Sequence, residues 1–144
     1  MRTMEELNRL TPAMIDLQPP GEESSIGAIL YHLAVIEADW LFVEVLEQAF
    51  PEKVVAMFQH PVRDDRGRLT RVQGESLEAH IERLENVRRL LLEVYQGMDL
   101  ADFRRVRSLP DYDVTPEWVL HHLMQHEAEH RSQIGGLRLR NEHA

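Results

Sequence analysis

The stretch WVLHHLMQHEAEHRSQIGGLRL, residues 118–139, decides how this chain folds. Thr115-Pro116-Glu117 stands just before it: a capping hydroxyl, a proline suited to the first helical position and an acid for the first turn. The resulting helix is expected to run to about Arg140. Val119, Leu123, Ile134 and Leu137 recur on one face, which a helix of this pattern turns toward its neighbours. His126 and His130 fall in the middle of that stripe. At roughly 100° per residue, side chains at i and i+4 leave nearly the same line of a helix, so both imidazoles can reach one cation. Held apart from a metal, each buried ring would need a separate partner for each of its nitrogens. The spacing therefore favours a metal site over a pair of hydrogen-bonded core histidines.

Upstream, Glu75 or Ser76 opens a helix whose Leu77, Ile81, Leu84, Leu91 and Tyr95 recur at helical spacing until Gly97 stops it. Ser24 or Ser25 caps a longer one, expected to reach about Phe50 before Pro51, with Ile26, Ile29, Leu30, Leu33, Ile36, Trp40 and Val43 as its apolar face. Thr3 to Leu10 reads as a short first helix, ended by Thr11-Pro12 and by Pro19-Pro20-Gly21. Pro61, Gly67 and the polar run 63–68 break the region between Pro51 and Gly74, leaving a short helical turn around Val54 to Phe58. Asp99 to Val114 reads as an irregular crossing loop with an extended piece at Arg105 to Leu109. There is no internal repeat and no sign of a second domain, and 144 residues suit one. Four helices without strand alternation predict an all-α fold, an antiparallel four-helix bundle with a shortened first helix and a site between facing helices.

Composition narrows the chemistry. Lys+Arg 16 against Asp+Glu 25 leaves a net charge of -9, which repels nucleic acid and anionic membrane surfaces. The basic cluster Arg104, Arg105 and Arg107 is short and flanked by acids. With no cysteine, any metal must be held by His, Asp or Glu, and a zinc finger is excluded. The opening MRTMEELNRL carries two acids and no long apolar core, and no run approaches 18 uninterrupted apolar residues. A soluble, cytoplasmic protein is expected.

Two histidines from one helix hold a metal poorly, and His32, flanking the apolar stripe of the second helix, is the best candidate for a third ligand. Around it, Ser25-Ile26-Gly27, then His32-Leu33-Ala34 with Glu37 and Trp40, and finally His126-Glu127-Ala128-Glu129-His130-Arg131-Ser132-Gln133-Ile134 resemble the DinB/YfiT-like family. Pro19-Pro20-Gly21 fits the same pattern, so the resemblance spans nearly the whole chain. It implies a four-helix bundle in which His32, His126 and His130 hold a divalent metal, zinc or nickel. It also implies kinship with thiol-dependent transferases, in which a small-molecule thiol supplies the sulfur that this chain lacks. Ser132 replaces the glycine that usually follows His-Arg in the family, which a helix tolerates. The chain also begins where the first family helix would be half finished. Such a curtailed helix would leave apolar surface uncovered, so a two-fold homodimer is expected, drawing on Phe42 and Leu46.

Three imidazoles leave coordination positions for water, as in catalytic sites, where the ion acts as a Lewis acid or lowers the pKa of bound water. Two classes remain open: a metal-dependent thiol transferase or hydrolase, and a non-catalytic metal-binding or stress-related module. Other candidates have simpler readings. His122 sits at the edge of the inward stripe, His121 points away, His60 and His143 lie in loop and tail, and His80 reads as a boundary residue. Glu127 and Glu129 lie off the ligand face, and Glu37 reads as a surface or interhelix pairing residue. Asp39 is placed to orient a ligand or to pair with Arg131 or Arg138, and Arg131 to hold a substrate carboxylate or pair between helices. Trp40, Phe42, Tyr95 and Trp118 read as core or dimer contacts.

Overall fold

The computed structural model describes residues 2–143. Its central element is α3, Ile26–Asp39, opened by Ser25, whose hydroxyl accepts from the Ala28 N–H at 3.1 Å. Twelve of its 14 residues are buried, which explains why apolar side chains go all the way round it. The helix continues through Trp40–Val45 as a π-helix, with the Leu46 N–H reaching back five residues to the Leu41 carbonyl at 3.0 Å. The wider turn advances the buried register: Leu41, Phe42 and Val45 go inside, while Val43, expected on the apolar face, is 39% exposed. Glu47, at φ 55, then turns the chain out of the helix. The second helix therefore ends short of the expected Phe50.

Two further long helices complete the frame. In α5, Leu77–Gln96, Ser76 caps the start by accepting from Ala79 N–H at 3.1 Å, and Gly97 closes the end. In α7, Pro116–Glu142, Thr115 accepts from Trp118 N–H at 3.1 Å with Pro116 behind it, as the sequence predicts. The N-terminal segment is two short helices instead of one: α1, Arg2–Leu7, lies on α7, and α2, Pro12–Ile15, lies on α3. The expected turn after Pro51 is α4, Glu52–Val55. In the crossing segment, α6, Leu100–Phe103, leads into the strands β1, Arg107–Ser108, and β2, Asp113–Val114, which pair antiparallel with Arg107 opposite Val114. The Arg107 side chain is 2% exposed, and each of its three guanidinium nitrogens donates: to the carbonyls of Val45 at 2.9 Å and of Asp102 and Arg105 at 2.8 Å, and to the Asp102 carboxylate. It ties this segment to the end of the π-helix.

The fold is all-α in character, with α3 packed against both α5 and α7. One apolar cluster joins Leu41, Phe42 and Val45 to Val87, Leu90 and Leu91 of α5 and to Val119 and Leu123 of α7. A second joins Leu7, Ile26, Ile29, Leu30 and Leu33 to Ile134 and Leu137. Phe42 is 5% exposed and belongs to the core, so it is not free for the expected dimer contact, while Leu46 is partly buried against the same cluster. His80 is 1% exposed, not a boundary residue. A Cβ on Gly27 would come within 3.1 Å of both His80 Nε2 and the Ile15 carbonyl, so glycine is what lets α2 and α5 close on α3 there. The span Ile26–Val45 is long and apolar enough to cross a membrane, but 78% of its most apolar window is buried inside the protein, as in a core helix.

Candidate metal centre

Between the two apolar clusters, α3 and α7 bring three imidazoles together. His32 comes from the buried face of α3 and is 6% exposed; His126 and His130, on consecutive turns of α7, are half-buried. One ring nitrogen from each lies within 4.8 Å of the others. The Nε2 atoms of His32 and His126 are 3.2 Å apart, and those of His126 and His130 are 3.0 Å apart. With metal–nitrogen bonds of about 2.0–2.1 Å, ligand nitrogens stand about 2.9 Å apart at right angles and about 3.3–3.4 Å apart in a tetrahedron. The observed spacings fall between those limits, so the three residues could hold one ion.

The proton inventory supports the same fit. His130 Nδ1 lies 2.6 Å from the Gln133 side-chain oxygen, an acceptor, so the His130 proton sits on Nδ1 and its Nε2 offers a lone pair. If His126 Nε2 carries a proton, it serves His130 and leaves His32 Nε2 without a partner. If it carries none, His126 and His130 face each other lone pair to lone pair. Neutral imidazoles cannot satisfy both contacts with one linear hydrogen bond each, whereas a cation accepts all three lone pairs. Burial, followed by the charges of His130 and His126 and then of Arg63, lowers the His32 pKa to about 3. Burial, followed by His130 and His122, lowers that of His126 to about 4. Both rings are thus neutral, the state a metal requires. The sequence does not single out Gln133, which stands there only as a member of the 126–134 run, three residues after a histidine.

The triad opens to a cavity of about 950 Å³, walled by residues 21–24, the 63–69 loop and the last turns of α7 through Arg140. A second, mainly apolar cavity of about 410 Å³ lies between α1, α5 and α7, and His126 lines both. The sequence matches the model of the DinB superfamily over residues 1–134, a span that contains His32, His126 and His130. The chain belongs to the DinB superfamily. No curated protein matches it.

The other candidates take different places in this DinB fold. His122 lies beside the triad without joining it, its ring stacked on Trp118 at 4.8 Å and on His126 at 6.3 Å and meeting Trp40 edge-on at 5.0 Å. His121 is exposed on α7, as expected. His60 holds the Tyr31 hydroxyl through its backbone and meets the Tyr31 ring edge-on at 5.7 Å. His143 is exposed at the end of α7. Glu37 and Glu127 are joined through Arg88 of α5, whose guanidinium donates to them at 2.5 and 2.6 Å. Burial raises the Glu37 carboxyl despite that bond; burial also opposes ionisation of Glu127, but bonds from Thr3 and Arg88 leave its pKa lowered. Among the described residues, Asp39 pairs with neither Arg131 nor Arg138. Arg138 instead meets Glu6 at 3.3 Å and Glu142 at 2.6 Å.

Proposed function

We propose that this DinB superfamily protein is a metalloprotein whose His32, His126 and His130 hold one divalent ion, zinc or nickel, through Nε2. We further read α1, α3, α5 and α7 as the helices of an antiparallel bundle built around that site. The convergence of three Nε2 atoms, with Gln133 fixing the tautomer of His130, carries the reading. The ion, when bound, supplies Lewis acidity and lowers the pKa of a water or thiol ligand. The chain supplies the rest: burial keeps the His32 and His126 rings neutral, Gln133 holds the His130 proton away from the metal face, and the large cavity admits a small molecule. Transfer of a small thiol, or hydrolysis, in the cytoplasm is the activity that suits this site.

The second reading is a non-catalytic metal-binding module. It is favoured by the ligands' coming from two different core helices, α3 and α7, which an ion would tie together.

Elemental analysis of the untagged protein tests the metal. The His126→Ala variant is expected to lose stoichiometric metal while His121→Ala retains it; equal metal contents would refute the ligand assignment. A folded His126→Ala protein favours catalysis, and an unfolded one the structural module. Small thiols that raise the melting temperature of the metal-loaded protein would support the transferase reading. The proposal includes a two-fold homodimer, with contacts among side chains left outside the core, such as Leu92 and Met124. Light scattering at low micromolar concentration should give twice the 16.8 kDa chain mass, and a stable monomer would end that part of it.

A further inference from the structure

The wall of the large cavity departs from the rest of the chain in charge. Four arginines, Arg63, Arg66, Arg68 and Arg140, line it against two acids, Glu22 and Glu23, whereas acids outnumber Lys and Arg by 25 to 16 in the whole sequence. Two of the four are compensated: Arg140 pairs with Glu22, and Arg68 meets Asp64 at 3.2 Å. The Arg63 guanidinium donates to the Gly67 carbonyl at 2.8 Å. Among the described residues, neither Arg63 nor Arg66 has a carboxylate partner.

The loop that carries these arginines is a built turn. Asp64 accepts from the backbone N–H groups of Arg66 at 2.9 Å and Arg68 at 3.0 Å, and its own N–H donates to the Arg68 carbonyl at 2.8 Å. Gly67 takes φ +75, which a side chain would resist. Arg63 bridges to Leu69, and the Thr70 N–H closes on the Val62 carbonyl at 3.2 Å. Val62 in turn packs on Tyr31, Val35 and Val72, so the turn is seated on the far side of α3 from the apolar cavity. It thereby holds Arg63 and Arg66 beside the same cavity that His32, His126 and His130 line.

We infer that this cavity binds a small organic dianion bearing carboxylate or phosphate groups, with Arg63 and Arg66 as its anion-binding residues and the histidine-held ion beside it. The inference rests on the metal reading for the position of the reacting end of the ligand, but not for the anion contacts themselves. Guanidinium groups match carboxylate and phosphate oxygens with paired, charge-assisted hydrogen bonds. A volume of about 950 Å³ is at the upper end of what small-molecule sites occupy. In the free protein water solvates these two exposed guanidinium groups. A ligand that enters replaces that water with oxygens of opposite charge, and the net charge of -9 keeps larger polyanions such as nucleic acid away.

Calorimetric titration of the full-length, metal-loaded protein with succinate and with inorganic phosphate tests this. At least one probe should bind saturably, and the R63A/R66A double variant should bind it at least about tenfold more weakly. Its metal content should be unchanged. The R63K/R66K variant should recover part of the loss, and R89A, on α5, should bind as the wild type does. Saturable binding of neither probe, or undiminished binding by R63A/R66A, would overturn the inference, the latter because the ion alone would then be holding the anion. Arginine-dependent binding by a wild-type protein that holds no metal would support the anion site while refuting the metal reading. The preference between the two probes tells carboxylate from phosphate ligands.

Discussion

The imidazole of His80 shows how strongly one residue's surroundings set its chemistry. It is 1% exposed, its Nδ1 lies 3.2 Å from Arg83, and its Nε2 is buried without a hydrogen-bond partner. Burial lowers its pKa; the carboxylates of Glu75 and Asp16 pull the other way, while Arg83 reinforces the lowering. The unfolded chain therefore binds a proton at His80 near the ordinary value of 6.5 while the folded protein does not. Stability contributed by this group is present above pH 6.5 and is lost as the pH falls below it. Urea midpoints measured between pH 7.5 and 5 should fall less steeply for His80→Phe than for the wild type, and parallel slopes would show that His80 does not titrate differently on folding. That His126 and His130 share one side of α7 was legible in the sequence because an i, i+4 pair inside an apolar stripe has a definite direction. The sequence misplaced His80 because burial there depends on Gly27, more than fifty positions away, whose missing side chain opens the space.

Helices with a capping residue and a clean period, α5 and α7, were legible almost to the residue: Ser76, Gly97, Thr115 and Pro116 stand at their ends as expected. The end of α3 was not, because a π-helix arises from backbone hydrogen bonds that side-chain periodicity does not encode. Its register shift put Phe42 inside and Val43 outside. Packing between elements was also hidden. Glu37 could be read as an interhelix pairing residue, but not as one end of a bridge through Arg88 to Glu127, which joins α3, α5 and α7. Arg88→Ala should destabilise the protein by about 2 kcal/mol, because it strands two acids with side chains 6% and 24% exposed. That figure lies below the cost for a fully buried pair because the Arg88 side chain keeps 34% of its surface in water. Arg89→Ala, whose partner Glu93 is as exposed as Arg89 itself at 59%, should cost less than about 0.5 kcal/mol. Denaturant unfolding of the two variants measures the difference, and equal losses would mean that the Arg88 bridge contributes no more than a surface pair.

At the scale of the whole molecule, the candidate metal site and the fold meet where α3 and α7 come together. Leu33 and Ile29 of α3 pack with Ile134 and Leu137 of α7 on one side of the triad, and Leu41 and Phe42 with Val119 and Leu123 on the other. These contacts join the two helices independently of the histidines, so the site is expected to be held by a core rather than to hold it. A bound ion then adds stability by mass action and does not decide whether the chain folds. At a free metal concentration one hundred times the dissociation constant, that addition is about 2.7 kcal/mol, or roughly 10 °C in melting temperature for a domain of this size. Chelation should therefore lower the melting temperature by several degrees and leave a cooperative, helical unfolding transition, with the loss restored by adding zinc or nickel back. Collapse of the helical signal on chelation would show that the apolar contacts between α3 and α7 are too weak to stand alone, and would transfer the weight of the argument to the structural module. An unchanged melting temperature, with and without metal, would instead mean that no ion binds the folded state in preference to the unfolded one, and would remove the metal reading itself.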